Sequence, residues 1–84
     1  MHEMGIAGSI LEAVGKELAR YPGYRAAKIC VRVGELAGVD SESLRFCFDA
    51  IVKDSPLAPL ELGIERLDGD ELDLGSLELE EMTA

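Results

Sequence analysis

Residues 28–52, KICVRVGELAGVDSESLRFCFDAIV, decide the fold. Ile29, Val31 and Val33 alternate with more polar residues, which is the two-residue period of a strand with one buried face. The glycine-bounded segment 34–38 is a connector. Asp40 then stands where its carboxylate can accept the free amide hydrogens at the start of a helix. The stretch therefore predicts a strand that leads into a capped helix.

The predicted second helix has one apolar side. Val39 is placed to pack on Leu44 across the cap as a hydrophobic staple. Ser55-Pro56 ends the helix, because the proline ring excludes the preceding residue from helical dihedrals. The apolar side consists of Leu44, Cys47, Phe48, Ile51 and Val52.

Upstream, the spacing predicts an amphipathic helix from Ile6 onward. Its apolar stripe recurs every four positions, at Ile6, Ile10, Val14 and Leu18. Gly5, Gly8 and Gly15 each weaken this helix by up to ~1 kcal/mol relative to alanine. Packing of the stripe must therefore hold the helix together. Tyr21-Pro22-Gly23 ends it.

Downstream, Leu60, Leu62 and Ile64 alternate with acidic residues and glycine as a second strand. A third strand begins near Leu72. The intervening Asp68-Gly69 predicts a tight hairpin turn, in which both central residues have positive φ.

The third strand changes phase in its middle, since Leu77 and Leu79 are out of step with Leu72 and Leu74. A β-bulge inserts one extra residue and reverses the alternation. A bulge at Gly75 would bring all four leucines to one face of the sheet.

The element order predicts an α/β architecture of the two-layer α+β kind, with two helices packed on one face of a three-stranded mixed sheet in the order α-β-α-β-β. Strand one, helix two and strand two would form a right-handed crossover, and the last two strands a hairpin. The length of 84 residues allows one core and hence a single domain, 1–84. The outer face of the sheet would carry Lys28, Cys30, Arg32, Glu61, Glu65 and Asp73.

The chain is acidic, with a formal net charge of −9 from 17 acidic and 8 basic residues. Such a charge repels phosphate backbones and anionic membrane surfaces, which argues against nucleic acid and membrane partners. No basic leader with an apolar core and no bilayer-length apolar run occurs in the sequence, so we expect a cytoplasmic protein. Cys30 and Cys47 form no CxxC pair, and packing roles are expected for both.

The N-terminus Met1-His2-Glu3 is the candidate metal site. A free α-amine, the main-chain nitrogen of residue 2 and an imidazole on residue 2 can close consecutive chelate rings around one ion. Glu3 can add its amide nitrogen or its carboxylate. Such nitrogen-rich tetragonal ligation suits Ni(II) or Cu(II). Because the amine and the imidazole must lose protons to bind, affinity should fall on acidification.

Three segments together resemble the HypA/HybF family of hydrogenase nickel-incorporation proteins: the start MHEM, VRVGELAGVDSESLRFCF and PLELGIERL. The resemblance covers nearly the whole chain. It implies Ni(II) delivery during maturation of [NiFe]-hydrogenase, in some organisms also of urease. It further implies two partners, a nickel GTPase accessory protein and the hydrogenase large subunit. The implied nickel ligands are the amine of Met1 and the imidazole and backbone nitrogen of His2, with Glu3 as a neighbour that supports the site or supplies a ligand.

The resemblance also implies a zinc lobe, which the family inserts between the strands that here end near Leu67 and begin near Glu71. This chain has only Asp68-Gly69-Asp70 between those residues, so no zinc site is expected within it.

Two other functions compete with nickel delivery. One is a metal-independent protein-interaction module, in which the N-terminus has no role. The other is an enzyme with Cys30 or Cys47 as nucleophile, although no cue for a lowered thiol pKa accompanies either residue. With a lone histidine at position 2 and no phosphate-binding loop, we expect no enzyme. The last strand could pair or swap between copies, so a homo-oligomer stays open.

Overall fold

A computed structural model describes residues 2–82. Within them the chain forms α1 (Glu3–Leu18), β1 (Tyr24–Gly34), a 3-10 turn (Glu35–Ala37), α2 (Ser41–Lys53), β2 (Glu61–Leu67) and β3 (Leu72–Glu81). The predicted order α-β-α-β-β is confirmed. Helix α1 begins three residues before Ile6 and ends at Leu18, ahead of the Tyr21-Pro22-Gly23 turn.

Both helices pack their apolar sides on one face of the sheet. Helix α1 buries Ala7, Ile10 and Val14, and α2 buries Leu44, Phe48 and Val52. They meet the inner residues of β1 predicted from the alternation, Ile29, Val31 and Val33. At about 25 cal/mol per Å² of buried apolar surface, this shared core supplies the main stabilisation of the chain.

Helix α2 begins as the sequence predicts. One carboxylate oxygen of Asp40 accepts hydrogen bonds from the amides of Glu42 (3.0 Å) and Ser43 (3.2 Å). Val39 is half-buried against the core cluster. Before the cap, Gly38 adopts a φ of 73°, a left-handed conformation that glycine allows at no steric cost.

The strand order is β2-β1-β3, with β1 parallel to β2 and antiparallel to β3. The predicted hairpin between the last two strands is therefore wrong, because β1 lies between them. β1 carries a deeply buried inner face, on which Ile29, Val31 and Val33 are at most 2% exposed, and its central position gives it pairing partners on both edges. Gly69 does not have positive φ; among the described residues only Gly23 and Gly38 do.

The segment Asp68–Asp70 instead crosses the end of β1. The amide of Gly34 donates to the Glu71 carbonyl at 2.7 Å, and that of Leu36 donates to the Gly69 carbonyl at 2.9 Å. A Cβ on Gly34 would lie 2.0 Å from the Gly69 carbonyl oxygen. Glycine at position 34 thus allows the chain to pass from one sheet edge to the other.

The bulge in β3 is confirmed. Ser76 pairs with Cys30 and Leu74 with Val31, so Gly75 has no partner on β1. The register places Leu72, Leu74, Leu77 and Leu79 opposite the inner-face residues Val33, Val31, Ile29 and Ala26. A second irregularity lies at Ala27, between the pairs of Ala26 and Lys28.

Candidate N-terminal metal site

His2 is the residue that precedes α1. Its backbone is extended (φ −87°, ψ 94°), its side chain is exposed, and it makes no side-chain capping hydrogen bond. The amide of Ile6 donates to the His2 carbonyl at 3.2 Å, which closes the first helical turn. Since the first amide groups of a helix have no acceptor within it, the main-chain nitrogen of Glu3 is not used by the helix. Met1 lies outside the described residues.

Glu3 connects the two helices. One of its carboxylate oxygens accepts a hydrogen bond from the amide of Asp40 at 3.0 Å. This bond is the largest cause that lowers the pKa of the Glu3 carboxyl from its ordinary value of 4.5. The start of α1 is therefore held against the start of α2. The second cause of the lowered pKa is a hydrogen bond from the amide of Glu3 itself to the same carboxylate, so both donors that Glu3 could offer a metal are engaged.

A groove of about 480 Å³ opens beside His2, between α1 and β3. Its walls are largely apolar. On β3 they are formed by Leu72 and Leu74. On α1 they are formed by three small residues one turn apart and by two isoleucines: Gly5, Ser9, Ala13, Ile6 and Ile10. The sequence alone does not predict this groove, because its existence depends on how far α1 lies from the edge strand.

Metal-binding side chains are sparse within residues 2–82. No group of three or more His, Cys, Asp and Glu side chains in this range is arranged to hold a metal ion. Cys30 on β1 and Cys47 on α2 are free and half-buried, and Cys47 packs against the core cluster as predicted. Cys30 lies on the outer face of the sheet beside Gly63. A metal site at residues 1–3 would therefore have to combine the His2 imidazole with main-chain nitrogens and the amine of Met1.

The family model described as "Hydrogenase/urease nickel incorporation, metallochaperone, hypA" matches residues 1–78. The chain belongs to the HypA family. The hydrogenase maturation factor HypA of Desulfatibacillum aliphaticivorans is 44% identical over 68 residues, which are 80% of this chain and 52% of that relative. The HypA of Pelodictyon phaeoclathratiforme is 42% identical over 69 residues, which are 82% of this chain and 59% of the relative.

The chain thus spans little more than half the length of these HypA relatives. The solution structure of the Ni metallochaperone HypA from Helicobacter pylori matches with a TM-score of 0.72 and 15% identity. The match covers 90% of this chain and 72% of the Helicobacter pylori chain. At this identity the likeness shows a shared HypA fold. None of the helices described in this chain has the length and apolar character needed to cross a bilayer.

Proposed function

We propose that this chain is the nickel-binding domain of a metallochaperone that delivers Ni(II) during maturation of [NiFe]-hydrogenase, in the cytoplasm. The observation that carries the proposal is the HypA family match, which begins at Met1-His2-Glu3 and continues to residue 78. The family description also mentions urease, which makes urease a second possible destination of the metal.

The proposed ligands are Met1, His2 and Glu3, and the exposed side chain of His2 supports the proposal. The helix engages neither the imidazole of His2 nor the main-chain nitrogen of Glu3. Because the Glu3 carboxylate is bonded to the Asp40 amide, we assign it a positioning role, and Glu3 would support the site or supply a ligand once these hydrogen bonds rearrange. Nitrogen ligands arranged in this way favour the tetragonal geometry of Ni(II).

In this role the chain binds Ni(II) and passes it on, and it does not convert a substrate. The proposed partners are a nickel GTPase accessory protein and the hydrogenase large subunit, which would receive the metal. We also propose that the whole chain, 1–84, acts as one domain and that the short connection from Leu67 to Glu71 stands where longer relatives carry a zinc lobe.

Calorimetric titration with Ni(II) tests the proposal. The native chain is compared with His2→Ala and with a chain extended by one residue before Met1. We expect the native chain alone to bind one nickel ion tightly, because the extension removes the α-amine from the chelate. Circular dichroism should show equal helix content in all three, since His2 is exposed and outside the core.

Equal nickel binding by the three chains would contradict the proposed site. The metal-independent interaction module would then be the better description of this chain. Repeating the native titration at lower pH adds a second check, because protonation of the amine and imidazole should weaken binding.

A further inference from the structure

The outer edge of β3 is free for pairing within the described residues. The sheet order β2-β1-β3 makes β3 an edge strand of ten residues that pairs on one side with β1. An unpaired edge presents a row of amide and carbonyl groups that another extended chain can join. Glycine at the bulge position 75 bends this edge but leaves regular strand on both sides of it.

The inner face beside this edge is apolar and uncovered. Leu72 and Leu74 lie on the helix side of the sheet, yet they remain 39% and 46% exposed. Helix α1 leaves them partly uncovered, because three of the residues that it places along the groove are the small Gly5, Ser9 and Ala13. Leucines on a buried face gain stability when a further apolar side chain covers them.

The outer face of the sheet has a repeating pattern of charge. Two rows run across the three strands, Glu61–Lys28–Glu78 and Glu65–Arg32–Asp73. Arg32 lies 4.0 Å from the Glu65 carboxylate and 3.6 Å from that of Asp73. Lys28 and Arg32 of the central strand thus each lie between two acidic residues. Both rows end on β3 with an acidic residue. A basic side chain at the neighbouring position of a fourth strand would therefore be complementary to either row.

We propose that β3 accepts an extended segment of a partner protein as a fourth strand, with apolar side chains alternating with lysine or arginine. The apolar side chains would enter the groove against Leu72 and Leu74, and the basic ones would face Asp73 and Glu78. Main-chain hydrogen bonds supply affinity in this mode and the alternate side chains supply specificity. A second copy of β3 fits poorly, since it would add its own acidic residues to an acidic edge.

Amide chemical-shift mapping in metal-free buffer tests this inference, so that its outcome does not depend on the nickel proposal. The probe is an end-blocked peptide of alternating valine and lysine with the ten-residue length of β3. We expect saturable shifts in β3 and in the α1 residues that line the groove. A peptide of alternating valine and glutamate should cause none, because it would place like charges beside Asp73 and Glu78.

A matched pair of variants tests the location. Ser9→Leu fills the groove from α1, whereas Ala50→Leu adds the same side chain at an exposed position of α2 away from it. We expect Ser9→Leu to weaken peptide binding by about tenfold and Ala50→Leu to leave it unchanged. Equal binding of both peptides, no saturable shifts, or an unchanged affinity in Ser9→Leu would overturn the inference. So would a concentration-dependent dimer with β3 at its interface, which would assign the edge to a second copy.

Discussion

Glu3 is the residue at which the fold and the proposed nickel site meet. Its position in the Met-His-Glu start suggests a ligand, but its carboxylate accepts the Asp40 amide and joins the beginnings of both helices. Hydrogen bonding to the charged form of a carboxyl favours that form, which is why the pKa of Glu3 is lowered. Glu3 therefore has a structural role in joining the two helices, whatever it contributes to the proposed nickel site.

Replacing Glu3 with glutamine should make stability less dependent on pH. Because the folded-state pKa of Glu3 lies below its unfolded value, ionised Glu3 stabilises the fold above the unfolded pKa. That contribution is lost as the pH falls through the folded pKa. We expect Glu3→Gln to lower the Tm at neutral pH. The difference from the native chain should shrink on acidification, as measured by thermal melts across acidic pH.

Glu12→Gln is the matched control for this pair of melts. It removes the same charge from the same helix, but Glu12 contacts Lys16 in an exposed ion pair at 3.4 Å, which contributes little. If both substitutions gave the same pH-dependent difference in Tm, the bond to Asp40 would not be its cause.

At the scale of elements, two features matter most: the cap at the start of α2 and the crossing of the chain over the end of β1. Asp40 gives α2 a defined start, and Gly34 lets the segment after β2 cross the end of β1. The first effect is local and visible in the sequence. The second depends on a contact between residues far apart in the chain.

Asp40→Ala should destabilise the chain by about 1 kcal/mol, because the amides of Glu42 and Ser43 lose their acceptor. Asp40→Asn keeps an acceptor oxygen and should recover most of this loss. Denaturant unfolding followed by circular dichroism measures both. Equal losses in the two variants would show that charge at Asp40, and not the cap hydrogen bonds, stabilises α2.

Gly34→Ala should destabilise the chain by about 1–3 kcal/mol or more, since the added Cβ would overlap the Gly69 backbone. Strain in φ is not the reason, because Gly34 is extended (φ −79°). Gly8→Ala is the opposite case: its Cβ would meet nothing within 4 Å, and alanine should stabilise α1 by up to ~1 kcal/mol. The same unfolding experiment compares them, and a neutral Gly34→Ala would contradict the close crossing.

At the scale of the whole molecule, one apolar layer between the helices and the sheet holds the chain together. Phe48 is fully buried there, whereas Phe46, two residues earlier on α2, is 75% exposed. The two phenylalanines thus separate the contribution of the core from that of an aromatic residue on the surface. Both lie on α2, so the same substitution at the two positions differs mainly in burial.

Phe48→Ala should cost about 3–5 kcal/mol, a large part of the stability of so small a domain. Phe46→Ala should change the free energy of unfolding by no more than about 0.5 kcal/mol. Urea titrations of both variants measure the difference. Comparable losses from the two substitutions would mean that Phe46 is covered in solution, for example by self-association.

The sequence by itself determined the elements. Periodicity gave both helices and all three strands, Asp40 marked the start of α2, and the phase change of the leucines located the bulge at Gly75. These features could be predicted because each depends on residues within one or two turns or on a single strand. The candidate nickel residues were predicted in the same local way, from their position at the start of the chain, and that set stays a prediction.

Only the tertiary structure decided the strand order, the crossing at Gly34 and the bond from Glu3 to Asp40, which lie 37 positions apart. The Asp68-Gly69 signal favoured a hairpin locally, but placing β1 in the centre satisfies both of its edges and buries its inner face. The groove beside His2 arises from the same packing. Such features depend on which surfaces meet, and local sequence does not contain that information.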